Sequence, residues 1–177
     1  MSTLACCEMS NPRDVYKMPY LDSSVFISWI KGEVIDGVKR GEISNHVLDL
    51  AQRKTYKLYI SSFVLAEVYK PHVSPGLSRD ATKSFLEYCE NEWVEVIDVT
   101  RVIGEDANRL CRQYSIKKPV DAIHLACALY AGCDVMLTWD HVDLLKLPGL
   151  FPDIGILIEQ PQMVGQPRLL SEGASGE

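Results

Sequence analysis

The chain has 177 residues, 47% of them hydrophobic, and a formal net charge of −6 at pH 7. That is apolar material for one well-buried domain and too little length for two, and no apolar run reaches the roughly 20 residues that a membrane-spanning helix needs. The pI near 5.2 excludes a protein that coats nucleic acid by neutralising its backbone.

Residues 1–17 are polar, contain Asn11-Pro12 and show no periodicity. They are expected to be a flexible appendage, with Met9 and Met18 as alternative starts to Met1. No basic segment leads into an apolar block, so no secretory signal is visible and the expected compartment is the cytosol. The body, residues 18–159, alternates two periods. Apolar runs at Met18–Leu21, Leu58–Ile60, Val94–Val99, Val135–Leu137 and Ile154–Ile158 predict five short strands. Several are too continuous for a strand with one wet face, which suits a parallel sheet covered on both sides. Between them Ile43, Val47, Leu50 and Ala51 share one helical face. Phe85, Leu86, Cys89 and Trp93 share a second, and Ile103, Ala107, Leu110, Cys111 and Tyr114 a third. Pro71 should stop the helix that carries Glu67, and Lys70–Ser78, with Pro75 and Gly76, reads as a loop. A further helix is predicted from about Pro119 to Ala131, with Pro119 in its first turn and Gly132 as its C-terminal cap. Residues 160–177, rich in Gly, Ser, Pro and Gln, read as a flexible tail. Strand–helix alternation of this kind predicts an α/β fold with right-handed crossovers.

The six cysteines, Cys6, Cys7, Cys89, Cys111, Cys127 and Cys133, form no C-x-x-C pair and have no histidine at zinc-finger spacing. They read as small apolar packing residues or surface thiols.

Four acids mark the points where the chain passes from strand to helix: Asp22, Glu67, Asp121 and Asp140. An acid beside a core is costly unless its charge is compensated. On an open α/β sheet, ligands bind beyond the carboxyl ends of the strands at the point where the order reverses. Asp22 ends the first strand and Asp140 follows the fourth, while Glu67 and Asp121 reach that edge if their helices start near it. Together the four would make an oxygen-rich site suited to Mg²⁺ or Mn²⁺, and so a metal-dependent enzyme acting on phosphate esters. Two like charges 4 Å apart repel by about 4 kcal/mol at an effective dielectric of 20, so without metal the cluster would oppose folding. Each acid also has a plain structural reading. Asp22 and Asp140 could cap the helices after them, Asp121 could complement a helix dipole, and Glu67 could be an exposed helical acid.

Four segments together resemble the PIN-domain nucleases. YLDSSVFISWI looks like their opening strand and helix, ISSFVLAEVYK like their second acidic motif, VDAIHLACAL like the third and VMLTWDHVDLLKLPGL like the fourth. The resemblance runs from about Met18 to Glu159, and at this length it is greatest to the toxins of VapBC-type toxin–antitoxin modules. It implies a three-layer α/β/α fold with a five-stranded parallel sheet in the order 3-2-1-4-5. The activity it implies is that of a Mg²⁺- or Mn²⁺-dependent endoribonuclease leaving a 5′-phosphate and a 3′-hydroxyl. Asp22, Glu67, Asp121 and Asp140 would bind the metal and carry catalysis. Ser24 matches a position whose side chain can bind a ligating carboxylate or water, and Thr138 the threonine that commonly supports the site. Two positions depart from the pattern. Trp139 replaces a small, polar or basic residue, and Leu144 replaces Phe, which leaves Asp143 as the alternative to Asp140.

Lys117 and Lys118 lie next to the third acid and could steer an RNA backbone. Trp139 could stack on a base or pack over the crevice, and His141 could contact a phosphate or be merely solvated. His124, three residues after Asp121 on the same helical face, reads as a packed or hydrogen-bonded histidine. The implied partners are an RNA substrate, a cognate antitoxin and a second copy of the chain, with no membrane. A catalytically silent RNA- or protein-binding module on the same fold is the alternative. An acyl-phosphate enzyme would want a second Asp where Ser24 stands, and a DNA structure-specific nuclease would need insertions that this length cannot hold.

Overall fold

A computed structural model describes residues 16–68, 79–147 and 155–163, with the backbone alone at 79, 80 and 82. Five parallel strands form one sheet in the order β3-β2-β1-β4-β5. They are β1 (Pro19–Leu21), β2 (Leu58–Ser61), β3 (Val94–Ile97), β4 (Val135–Leu137) and β5 (Leu157–Glu159). The expected three-layer arrangement and strand order are thus those of the molecule. The helices are α1 (Ser23–Lys31), α2 (Arg40–Gln52), α3 (Ser62–Glu67), α4 (Arg79–Cys89), α5 (Arg101–Tyr114) and α6 (Pro119–Tyr130).

Parallel strands need crossovers, and the crossovers cover both faces of the sheet. Two apolar cores follow. One gathers Leu21, Phe26, Val47, Leu58, Ile60 and Phe85. The other gathers Tyr20, Ile103, Leu110, Leu125, Met136 and Ile158. Adjacent residues of β1, Tyr20 and Leu21, enter opposite cores, as the period of two requires. β1 is the central strand, with β2 on one side and β4 on the other. The chain builds outward through β2 and β3, then returns across β1 to β4 and β5, so the order reverses at β1. Its pairing continues one residue past its end, where the Asp22 amide donates to Leu137 O at 3.0 Å.

The helix running back along the sheet decides where Asp121 lands. α5 is capped by Thr100, whose hydroxyl accepts from the Ile103 amide, and it buries Ile103, Ala107 and Leu110. It ends at Ser115 in the left-handed region. A short turn then starts α6 at Pro119, where the missing N–H costs nothing. α6 ends as expected. Gly132 has φ +70, its amide donates to Leu129 O, and the Cys133 amide donates to Ala128 O, which is the glycine-terminated helix end that satisfies the last carbonyls.

Several boundaries differ from the sequence expectation. β3 stops at Ile97, because Thr100 is taken up in capping α5, and Val99 is exposed. Leu86 is exposed too, since Phe85 and Cys89, four apart, already fill the inward line of α4. The packed body passes both expected limits. Tyr16 is 1% exposed and stacks edge-on to Tyr56, and its hydroxyl accepts the Gln162 amide at 3.2 Å. The rest of the expected appendage, the Lys70–Ser78 loop with Pro71, Ile154 and most of the tail lie outside the described residues. Cys89, Cys127 and Cys133 are buried free thiols, and burial pushes each up to about 12, in keeping with apolar packing. No helix among the described residues is long and apolar enough to cross a membrane.

Candidate active site

A cleft of about 430 Å³ opens where the strand order reverses, lined by Asp22, Ser24, Glu67, Lys118, Asp121 and Asp140 among others. All four acids singled out in the sequence meet there. Asp22 caps α1 with an extended backbone, as its plain reading required, yet it does more. Its Oδ2 accepts from the Ser24 amide at 3.2 Å, the Ser24 hydroxyl at 2.5 Å and the Thr138 hydroxyl at 2.8 Å. Its Oδ1 lies toward His124, 3.7 Å from Nε2. Ser24 Oγ in turn accepts the Trp139 amide at 2.9 Å, and Thr138 Oγ1 accepts the Asp140 amide at 2.9 Å. Ser24 and Thr138 therefore bind the first acid to the chain segment that carries the fourth.

Asp140 behaves similarly. Its Oδ1 accepts from the amides of Val142 and Asp143 at 2.8 and 3.0 Å, which shapes the turn before a short 3-10 helix at Leu144–Lys146. Its Oδ2 lies 3.4 Å from Lys118 Nζ. Partial burial works against ionisation, but those two amides and the Lys118 ammonium outweigh it and hold Asp140 below the ordinary carboxylate range. Asp143 also pairs with Lys118, and Asp121, Asp140 and Asp143 stand within ligand-sharing distance of one another. Asp143 and Asp140 thus sit side by side. The hydrogen bond to Asp143 and the neighbouring acids push the Lys118 ammonium up.

Asp121 has no such support. It is 6% exposed, and its Oδ2 is buried with no hydrogen-bond partner. Burial, with the charges of Asp140, Asp22 and Asp143, raises its carboxyl to about 7 against the pull of Lys118. A buried carboxylate oxygen without a donor is costly, and a hard cation in the cleft would satisfy it. The donor set fits one: Asp22, Glu67, Asp121 and Asp140 present carboxylate oxygens, with the His124 ring beside those of Asp22 and Glu67.

Glu67 ends α3, and its Oε2 lies 2.8 Å from His124 Nε2. His124 is fully buried. Burial lowers its tendency to hold a proton, but the Glu67 hydrogen bond and the charges of Asp22, Glu67 and Asp121 outweigh that and raise it. The D-x-x-H spacing places His124 on the face of Asp121 but carries no signal for its contact with Glu67.

The candidate RNA contacts separate. Lys118 lines the cleft. Lys117 lines a neighbouring hollow with Val142, Asp143 and Lys146. His141 is exposed, with Nδ1 3.5 Å from Gln160 Nε2. Of the two readings of Trp139, packing is the one seen: it is 5% exposed, packs in the first core, and its indole N–H donates to Ser44 Oγ at 2.9 Å. It offers no face for a base, because the strand exit turns its ring inward under α2.

The model of the PIN domain family matches residues 20–148. The chain belongs to the PIN-domain family. Solved structures share the PIN fold. The VapC20 toxin of Mycobacterium tuberculosis, which cleaves the sarcin-ricin loop, is 19% identical, with a TM-score of 0.54 over 70% of this chain and 91% of that one. VapBC2 of Rickettsia felis, bound to a fragment of its promoter DNA, is 18% identical, with a TM-score of 0.55 over 81% and 98%. A toxin–antitoxin complex of Klebsiella pneumoniae is 18% identical, with a TM-score of 0.54 over 82% and 99%. No match is found among curated proteins.

Proposed function

We propose that this PIN-domain protein is a Mg²⁺- or Mn²⁺-dependent endoribonuclease and the toxin half of a VapBC-type toxin–antitoxin pair. The observation that carries the reading is the convergence of Asp22, Glu67, Asp121 and Asp140 on one cleft, with Asp121 Oδ2 buried and without a donor. Asp22, Glu67, Asp121, Asp140 and Asp143 bring five carboxylates together there, with Lys118 beside Asp140 and Asp143 and His124 beside Asp22 and Glu67. Bound there, divalent ions would activate water and stabilise the leaving oxygen of an in-line displacement at phosphorus.

The chain's own residues have separable tasks. Asp22, Glu67, Asp121 and Asp140 hold the ion or ions. Ser24 and Thr138 take up Asp22 Oδ2 and so leave Oδ1, which lies toward His124, as the oxygen for an ion. Lys118 sits at the rim where an RNA phosphate would enter and can exchange its carboxylate partners for it. Lys117 and His141 extend that rim. The structural neighbours that are toxin–antitoxin complexes support a protein partner for this chain, and a second copy of the chain is proposed with it. The compartment proposed is the cytosol.

The test is cleavage of a mixed tRNA and structured-RNA pool by the purified protein with Mg²⁺, Mn²⁺ or EDTA, beside Asp22→Asn. Cutting that needs metal and is lost in the variant is expected. A folded, antitoxin-free protein that cuts under no condition would favour the silent binding module. The contacts that His124 and Lys118 already make with Glu67, Asp140 and Asp143 are what speaks for that second reading.

A further inference from the structure

Behind the first and third acids, one structural period deeper in the fold, stand two buried polar side chains. Tyr20 precedes Asp22 by two residues along the β1 line and shares its face. His124 follows Asp121 by three residues in α6 and shares its face. Both are fully buried, and they meet: Tyr20 Oη lies 2.9 Å from His124 Nδ1. The Ser61 amide, where β2 passes into α3, donates to Tyr20 Oη at 3.1 Å, and Ser61 Oγ lies 3.3 Å from Nδ1. On its other side His124 reaches Glu67.

The direction of this chain follows from donor and acceptor chemistry. An ionised Glu67 only accepts, so the 2.8 Å contact needs a proton on Nε2. A neutral ring carries it there when Tyr20 donates its O–H to Nδ1. A charged ring carries it there too, with Nδ1–H donating to Tyr20 Oη. In either state Nε2–H points at Glu67.

Glu67 differs from the other acids in where its backbone places it. Asp22 and Asp140 are fixed by backbone amides, and Asp121 lies in the first turn of α6, where the helix dipole favours a carboxylate. Glu67 ends a helix of six residues, at the end where the dipole opposes a negative charge, and its longer side chain has more rotamer freedom to lose.

We propose that Tyr20 and His124 are positioning residues: a buried chain from the Ser61 amide through Tyr20 Oη and His124 Nε2–H holds the Glu67 carboxylate in the cleft in the orientation that binds the metal. The inference rests on the reading of the cleft as a metal site. It assigns Tyr20 and His124 no contact with substrate.

The test is Mn²⁺ affinity without RNA, read by the EPR signal of free Mn²⁺, with thermal melting as the check on folding. His124→Met keeps volume and removes the donor, and it should weaken binding about tenfold, the low end for partners that orient ligands. His124→Gln returns a donor at nearly the Nε2 position and should recover most of that loss. In a Glu67→Gln background, His124→Met should bring no further loss, because it acts through Glu67. A purely structural role would lower affinity equally in both backgrounds, and that result overturns the inference, as does wild-type affinity in His124→Met. Tyr20→Phe removes a single oxygen and serves if His124→Met does not fold; it should weaken binding several-fold, and unchanged affinity overturns the inference. In all these cases the wild type still binds Mn²⁺. If the wild type binds none, the metal-site reading falls and takes this inference with it.

Discussion

Thr138 Oγ1 lies 2.8 Å from Asp22 Oδ2, although 116 residues separate them in the chain. The same oxygen accepts the Asp140 amide, so one hydroxyl joins the acid after β1 to the acid after β4. Thr138→Val keeps the shape and removes both bonds. It should destabilise the protein by about 1–3 kcal/mol, the usual cost of buried polar groups left unpaired, which is roughly 2–4 °C of melting temperature for each kcal/mol at this size. Metal-dependent cleavage should fall with it, and Thr138→Ser should restore both. A Thr138→Val protein that melts and cuts as the wild type does would show that the hydroxyl ties nothing together.

Asp121 gives the metal-free protein a pH dependence of definite sign. Its folded carboxyl is raised from an ordinary 3.8 to about 7, so between those values the folded state holds a proton that the unfolded chain has lost. Stability then falls as pH rises, and the stabilisation present below about 4 is gone above about 7. His124, also raised, acts in the same direction, whereas lowered Asp140 loses its contribution only at acid pH. In EDTA, Asp121→Asn should therefore melt higher than the wild type, and the gap should widen from pH 5 to pH 8. Cleavage should be abolished, because an amide cannot replace the ionised ligand. Equal melting curves across that range would remove the buried charge from the account.

The fold was largely legible because two periods alternate cleanly and four acidic motifs stand in family order. Asp22 and Asp140 could be placed from their distance past the apolar runs. Asp121 could not, because its position depends on α5 returning to the sheet edge before α6 starts, and a helix's direction is a tertiary fact. Trp139 was open for the same kind of reason: its partner Ser44 lies 95 residues earlier, and nothing local tells a stacking ring from a packed one. Tyr20 was legible as part of the Met18–Leu21 strand but not as the partner of His124, since local spacing shows the faces of β1 and α6 and not that they meet. At Asp22 the plain capping reading does not exclude a place in the cleft, since Oδ2 caps α1 and Oδ1 lies toward His124.

Lys118 brings a positive charge to the cleft, pairing with Asp140 and Asp143. It is about half exposed, so solvent screens the pairs and their stabilisation is modest. Lys118→Met should lower the melting temperature in EDTA by a few degrees at most and leave it nearly unchanged with saturating Mg²⁺, which supplies the missing charge. It should also weaken RNA binding and make that binding less salt-sensitive, as expected when one phosphate contact is lost. An RNA affinity and salt slope equal to the wild type's would place the lysine among the structural ion pairs.

Trp139 separates the roles of neighbouring residues at the fourth motif. Its indole is buried against the first core, held by Ser44 and faced by the Arg40 guanidinium 5.0 Å from the ring centroid. Trp139→Phe would lose the indole N–H and part of that packing and leave Ser44 Oγ without its donor, a cost of about 1–3 kcal/mol. Trp139→Ala would open a cavity and cost about 3–5 kcal/mol. Because the backbone amide of Trp139 still donates to Ser24 and the ring lies away from the cleft, Trp139→Phe should keep the wild-type KM for RNA. Melting curves and cleavage kinetics on one preparation separate the two effects. A KM raised tenfold in a fully folded Trp139→Phe protein would mean that the ring meets the substrate after all.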